Sequence, residues 1–486
     1  MSLNVLRHLG LGLYSNVAAV LSEVVANSWD ADAEHVCISI DSVNQKIVIQ
    51  DDGHGMTIDD ANKKYLTVGY ERRKADTASL TPRFKRPVMG RKGIGKLSLF
   101  SIARTVEVHS IKDNHKHGFK MDSDDIEKRI REKPKSPYFP DEIDRSEFEL
   151  DRGTRITLTN LKRQLQWTGK PLRRRLARRF SIIGPQYNFE ITLDGEPITI
   201  DDRDYHNKLQ YIWTFGERGL RSRDDARKLE HSEARSNRIR IEGCSEYEID
   251  GWIGTAFESK QLRDSDTKES INKIVVMTRG KLAQEDILEE FGEGGLYTKY
   301  IFGEIHANFL DLDDQDDIAT TSRQRLIEED PRYQLLKEKL LIELKHIQGK
   351  WTELRNLQGP EKALAYPQIE QWFRDLNPDH KAKAKKLFGR INQLTVDDQE
   401  QKRQLFISGV LAFESLKLRN LLYRLDEVSP KNLQVLEEVF IQLDDLEASA
   451  YFQIVKDRLA VIRKLTGLAD DNAKECALQK HSELVD

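Results

Sequence analysis

From Val24 to Asp32 the chain reads VVANSWDAD, preceded by Glu23, and these are the first residues whose types and spacing suit chemistry. Positions three, four and seven apart share one face of a helix, so Glu23, Asn27 and Asp30 line up while Val17, Val20, Leu21 and Val24 point the other way. A core helix has no use for such a polar stripe. An amide oxygen suits a hard cation, and a carboxylate one turn away can polarise an attacking water. Three glycine-bearing segments follow: DDGHGM (Asp51, Gly53, Gly55, Met56), GRKGIGK (Gly90, Gly93, Ile94, Gly95, Lys96) and GTRITL (Gly153, Thr154). Glycines at a helix start free backbone N–H groups to face anionic oxygens, which the helix dipole also favours.

Such side chains need elements to hold them. The apolar period from Val17 to Val24 predicts a helix, and alternation in VCISI (Val36, Ile38, Ile40) and KIVIQ (Ile47, Ile49) predicts two paired strands. TIDDANKKYL predicts a short helix with Thr57 as N-cap and Asp59 and Asp60 in its first turn. A polar segment from Thr67 to Met89 leads into a helical run in GRKGIGKLSLFSIA, and strands are predicted at TVEVHSI and GTRITLTNL. Between those strands, Lys112 to Leu150 holds Pro134, Pro137, Pro140 and many charges, and reads as a surface insertion with some helix.

A first domain is therefore expected over residues 1–205, and a second α/β domain over 206–332, where IDGWIGTAF, INKIVVMT and YIFGEIHANFL alternate with helical runs. Residues 333–486 read as helical and heavily charged, with Leu340, Leu344, Ile347, Trp351 and Leu354 forming the seam of a short coiled coil or bundle helix. A chain of 486 residues is long enough for such a division. Lys+Arg 77 against Asp+Glu 81 gives a net charge of -4, so any nucleic-acid contact has to come from a local patch. Cys37, Cys244 and Cys476 show no metal-ligand spacing, which fits a reducing compartment. With no run of about 18 apolar residues and no leader pattern, a soluble intracellular protein is expected, without membrane contact.

Taken in order, EVVAN, DDGHG, GRKGIG and GTRITL resemble the motifs of the GHKL ATPases (gyrase B, the ninety-kilodalton heat-shock chaperone, histidine kinases and MutL), with the MORC-like branch nearest in style. The resemblance covers about the first 160 residues strongly and about the next 170 loosely. It implies an α+β chain: a Bergerat-type ATP-binding α/β sandwich, then a transducer-like α/β domain, then an all-α region. It implies ATP and Mg2+ as ligands, with Asn27 on the metal and Glu23 as the general base for water attacking the γ-phosphate. Asp51 would accept from the adenine amine, Gly53 and Gly55 would let the backbone lie flat against the base, and Met56 would be pocket wall or core. Gly90, Gly93, Ile94 and Gly95 would cradle phosphates, with Lys96 adding a point charge and Asp30 lying in the same site. Thr154 would join Asp51 through water, and Thr67 to Met89 would form a lid.

In the second domain the resemblance implies that IATTSRQRL supplies Arg323 as the cation that returns to the γ-phosphate, with Gln324 beside it and Lys281 of RGK as a weaker candidate; the alternative is that Arg323 is a surface salt-bridge partner. The run Arg173, Arg174, Arg175, Arg178 and Arg179 could grip a phosphate backbone, although a helix packing Leu172, Leu176 and Phe180 inward is the favoured reading. His115 and His117 of NHKHGF read as exposed loop histidines rather than metal ligands. The resemblance thus implies an ATP-operated switch, often a homodimer when nucleotide is bound, acting on DNA in the manner of MutL or MORC proteins, including bacterial defence against phage. The alternative is a chaperone-like or signalling scaffold whose helical tail binds a protein effector. An ATP domain placed first argues against a histidine kinase, and Glu23 argues against a site without turnover. NAKECALQKHSELVD resembles the lead-in to a further domain of longer relatives, sometimes a nuclease, which suggests an effector lost or recruited in trans.

Overall fold

The computed structural model describes residues 17–67, 70, 79–91, 93, 95–132, 138–144, 150–162, 169–240, 246–264, 268–291, 296–319, 326–394, 399–423 and 425. The chain forms two compact units. The first comprises residues 1–255, 263–292 and 301–340, and the second comprises residues 256–262, 293–300 and 341–486. The boundary expected at 205/206 falls between two sheets of the first unit.

Helix α1 (Val17–Asp30) is buried on almost every side; only Asn27 is exposed, with Val17 and Glu23 half-buried. Strands β1 (His35–Asp41) and β2 (Lys46–Asp51) pair antiparallel with Ile38 opposite Ile49, as the alternation predicts. Thr57 and Asp60 form a reciprocal capping box on the helical turn Ile58–Asp60, which continues as a π turn over Ala61–Tyr65. Gly95–Ser101 is a short 3-10 helix where an α-helical start was expected. Strands β3 (Ala103–Lys112) and β4 (His115–Asp122) then lead through α2 (Ser123–Glu132) to β5 (Asp141–Glu142) and β6 (Gly153–Leu161).

The expected surface insertion at 112–150 is thereby corrected. Its first part is a full partner of β3, because Phe119 and Met121 bury one face of β4 in the core. His115 and His117 sit on that strand rather than on a loop. After α3 (Gly169–Ala177) come β7 (Glu190–Leu193) and β8 (Glu196–Pro197). The strands stand in the order β5-β4-β3-β6-β2-β1-β7-β8, antiparallel except for the β1–β7 pair. Helices α1 and α3 share one core with this sheet, in which Val20, Val24, Leu172 and Leu176 join Ile38, Ile49, Val106 and Leu158.

The second sheet is built from β9 (Leu209–Phe215), β10 (His231–Arg235) after α4 (Gly216–Asp225), β13 (Asp250–Ala256), β14 (Ile274–Thr278), β15 (Lys281–Gln284) and β16 (Ile301–His306), with β11 (Arg238–Arg240) and β12 (Glu246–Glu248) as a separate ribbon. Its order is β10-β9-β13-β16-β14-β15. The described residues thus form an α+β chain with two mixed sheets, followed in sequence by helices.

Helix α5 (Pro331–Leu364) precedes α6 (Pro367–Arg374), α7 (Pro378–Gln393) and α8 (Gln399–Leu418). Phe388, Ile391, Phe406, Val410 and Phe413 form the core of the second unit. Leu340, Leu344, Ile347 and Trp351 are buried as the seam predicts, but the next buried position is Arg355 rather than Leu354. The Arg355 guanidinium lies 4.6 Å from the Tyr300 ring centre and donates to the Phe257 carbonyl. No helix among the described residues is long and apolar enough to cross a membrane.

Candidate functional site

Three segments far apart in sequence meet at the Glu23 carboxylate. Helix α1 carries it to a half-buried position, and Gly95 lies so close that a Cβ there would stand 2.5 Å from Glu23 Oε2. From the second sheet, Lys281 Nζ donates to Glu23 Oε1 at 2.9 Å, with only 4% and 12% of the two side chains exposed. Lys281 follows a two-residue hairpin between β14 and β15, in which Arg279 (φ 49) and Gly280 (φ 83) both take the left-handed conformation such a turn requires. The hairpin is fastened to the first sheet's side by Ser181 N–H to Gly280 O and Leu282 N–H to Arg179 O. Gly280 fits because a Cβ there would lie 2.3 Å from Ile182.

Asp51 ends β2 as a residue only 8% exposed, its carboxylate accepting from Ser28 Oγ at 3.0 Å and from the Gly53 N–H at 3.0 Å. Burial pushes this carboxyl up to about 6, against the hydrogen bonds from Gly53, Ser28 and Thr154 that favour its charged form. Thr154 stands opposite Asp51 in the β2–β6 register, and its hydroxyl lies 3.2 Å from Ser110 Oγ, which also accepts from Met56 N–H. So Asp51, Thr154 and Met56 come together in the fold, and Ser28 and Ser110 join them unforeseen. The glycines here answer to protein packing. A Cβ at Gly55 (φ +65) would strike Ile111 O at 2.1 Å, one at Gly153 (φ +88) would strike Asp51 O at 2.0 Å, and one at Gly53 would crowd Ala31 O at 2.8 Å.

Other expected site residues face elsewhere. Asp30 points inward, its two carboxylate oxygens accepting from Met89 N–H and Gly90 N–H, both at 2.8 Å, so Asp30 holds the loop and the Gly90 amide is spent on it. Lys96 donates to Lys64 O and Thr67 O, closing the π turn, and burial lowers its ammonium to about 8. Gly93 (φ +61) packs on Tyr70, where a Cβ would meet the carbonyl at 2.4 Å. Of the expected lid, residues 79–89 are a packed hairpin. Arg83 and Phe84 N–H groups donate to Asp32, and buried Arg86 stacks on Trp29 and donates to Ala33 O and Asn188 O. Ile94, Arg323 and Gln324 lie outside the described residues.

The basic run on α3 and in the turn just after it is committed inside the protein. Arg173 pairs with Asp202, Arg174 and Arg178 both with fully buried Asp264, Arg175 with Glu269 and Arg179 with Glu285, while Leu172, Leu176 and Phe180 pack in the core. These guanidiniums fasten α3 to the second sheet's segment, so the inward-packing reading is the one the geometry supports.

Among the described residues no cluster of three or more His, Cys, Asp or Glu could hold a metal by itself. Asn27, exposed one turn after Glu23, instead fits a magnesium that takes one or two protein oxygens and completes its shell with phosphates and water.

Residues 14–151 match the family model described as "Histidine kinase-, DNA gyrase B-, and HSP90-like ATPase", which supports GHKL membership for this part of the chain. The chain is also 41% identical over 355 residues, 73% of its own length, to "Putative type II restriction enzyme HgiDII" of Herpetosiphon aurantiacus. The match spans 56% of that relative's length, a little over half.

Proposed function

We propose that the chain, carrying an ATPase module of the GHKL superfamily over residues 14–151, is an ATP-hydrolysing conformational switch that acts on DNA in restriction-type defence. The observation that carries this reading is the meeting of Glu23, Gly95 and Lys281. In this reading Glu23 is the general base, Gly95 leaves room beside it for the γ-phosphate, and Lys281 brings a cation from the second sheet.

In this reading Asp51, Thr154 and the backbone around Gly53 and Gly55 select adenine, and Asn27 holds magnesium. Bound magnesium would neutralise phosphate charge. Glu23 orients and deprotonates the attacking water. Lys281 takes the part expected of Arg323: its ammonium balances Glu23 before nucleotide enters and stabilises the γ-phosphate oxygens as the bond breaks. Because Lys281 belongs to the second sheet, loss of the γ-phosphate alters what that sheet is held by, which makes hydrolysis legible to the rest of the molecule. Nucleotide-dependent dimerisation belongs to the same proposal, supported by the habit of the family. The DNA part is supported by the relative described as a putative type II restriction enzyme.

The test is ATP turnover by wild type and Glu23→Ala with and without duplex DNA, alongside binding of a non-hydrolysable ATP mimic with magnesium. Loss of turnover with binding kept in Glu23→Ala, and faster wild-type turnover on DNA, are the expected results. A wild type that binds neither ATP nor its mimic ends the ATPase reading, and indifference to DNA ends the nucleic-acid part alone.

A further inference from the structure

One carboxylate joins the glycine loop to the hairpin that carries Lys281. Arg91, in GRKGIG, donates through Nη1 to Asp311 Oδ1 at 2.7 Å and to Leu312 O at 3.1 Å, and through Nη2 to Gln315 O. Arg279, in the β14–β15 turn, approaches the other oxygen of the same carboxylate, Nε to Asp311 Oδ2 at 3.4 Å, and donates through Nη2 to Asp311 O and to Asp313 Oδ1. All three side chains are nearly buried, 11% exposed for each arginine and 13% for Asp311. Arg279 also receives support at its backbone, its N–H donating to Asn308 Oδ1 at 2.8 Å, and it holds a left-handed φ of 49 that a non-glycine residue takes at a cost.

The contacts close a ring. Glu23 meets Lys281; two residues earlier Arg279 meets Asp311; Asp311 meets Arg91; and four residues after Arg91, Gly95 abuts Glu23 again. Two guanidiniums sharing one shielded carboxylate make a stiff joint, since charge-assisted hydrogen bonds are directional and the surroundings exclude most water. We infer that Asp311 is a positioning residue for the ATPase reaction: it locks the glycine loop to the Lys281 hairpin, so that the phosphate cradle and its cation are in place together or not at all. The inference rests on the ATPase reading above, and it names a connection that neither Glu23 nor Lys281 touches.

Asp311→Ala, Arg91→Ala and the double variant test it. At saturating ATP, turnover in each single variant is expected to fall by about tenfold or more, because small displacements at a phosphoryl centre are costly, while affinity for the non-hydrolysable mimic changes by less than about threefold. The double variant is expected to lose no more than the worse single one, and Asp311→Glu to recover part of the loss. A residue that only stabilises the fold would lower affinity, turnover and melting temperature together, and that pattern overturns the inference. Amide exchange supplies a readout that needs no turnover. Arg91→Ala should speed exchange over residues 308–319 and also at 279–282, and unchanged protection at 279–282 rejects the joint even if wild type proves to hydrolyse no ATP.

Discussion

Lys281→Met removes the ammonium that faces Glu23 while keeping most of the aliphatic stem. The pair is 2.9 Å apart with side chains 4% and 12% exposed, so its loss strands a shielded carboxylate, at a cost of about 3 kcal/mol in unfolding free energy. Removing a fixed cation from a phosphoryl transition state costs about 100-fold in turnover or more. A freed Glu23 is a stronger base, which offsets part of that loss, but general-base strength responds only fractionally to such changes, so the lost cation wins. Turnover at saturating ATP should therefore fall by about two orders of magnitude, with affinity for ADP unchanged because ADP has no γ-phosphate to meet Lys281. Phosphate release and fluorescent-nucleotide binding measure these quantities, and denaturant unfolding measures the stability. The Glu23→Gln/Lys281→Met double variant should regain most of the lost stability, since no stranded charge remains. Turnover in Lys281→Met within about threefold of wild type, or ADP binding weakened as much as ATP binding, refutes the role given to Lys281.

Gly95→Ala places a Cβ 2.5 Å from the end of the flexible Glu23 side chain at a backbone without positive φ, so the fold should keep its stability to within about 1 kcal/mol while displacement of the carboxylate cuts turnover at least tenfold. Equal turnover would show that Glu23 acts from another position. Asp51 has its carboxyl raised to about 6, above the ordinary 3.8, so the fold favours its protonated form and the stability this lends is lost as pH rises from about 4 through 6. Adenine recognition needs the carboxylate, so ATP affinity should weaken by about tenfold per unit below pH 6, and a flat profile in wild type would remove Asp51 from the site. Arg178→Glu sets a second carboxylate against Asp264, which is 1% exposed, and should lower stability by about 3–5 kcal/mol in denaturant unfolding. A fully stable Arg178→Glu that loses DNA binding would return α3 to the role of a DNA-binding face.

What the sequence discloses and what it hides divide along sequence distance. Helix α1, the β1–β2 pair and the Thr57 cap are written in residues at most a few positions apart, where hydrophobic period and capping chemistry speak directly. The short 3-10 helix at Gly95–Ser101 carries the apolar spacing of an α-helix, and over so few residues the two kinds show much the same pattern. Strand β4 escapes because HKHGFKMD buries only Gly118, Phe119 and Met121, and the nearby prolines pull the reading toward loop. Asp30 and Lys96 look like ligands from their places in the motifs, and only the fold reveals that Met89, Gly90, Lys64 and Thr67 engage them. Likewise nothing local tells that Arg174 and Arg178 find Asp264, or that Lys281 crosses 258 positions to Glu23. Ser28 lies beside Asn27 in the chain, and only the fold shows that its hydroxyl faces the Asp51 carboxylate.

The ion pairs of α3 also constrain which parts of the first unit can move when nucleotide turns over. A ligand shifts a conformational equilibrium only by its difference in affinity for the two states, and even a near-complete reversal takes about 5.5 kcal/mol. Separating α3 from the second sheet's segment would expose Asp264 and both its arginines and also break the Arg175–Glu269 and Arg179–Glu285 pairs; stranding one buried charge alone costs about 3–5 kcal/mol. Arg203 adds to this side of the joint, since it binds Glu304 of β16 and the carbonyls of Ala177 and Phe180, and with His306 it holds the Glu304 carboxyl down to about 2. A single γ-phosphate cannot undo that assembly. The two sheets therefore stay joined along α3, and under the ATPase reading the contact left to change with nucleotide is the Lys281–Glu23 pair itself. There a bound triphosphate would compete with Glu23 for the Lys281 ammonium, while the Arg91–Asp311–Arg279 joint carries the change from the hairpin to the glycine loop.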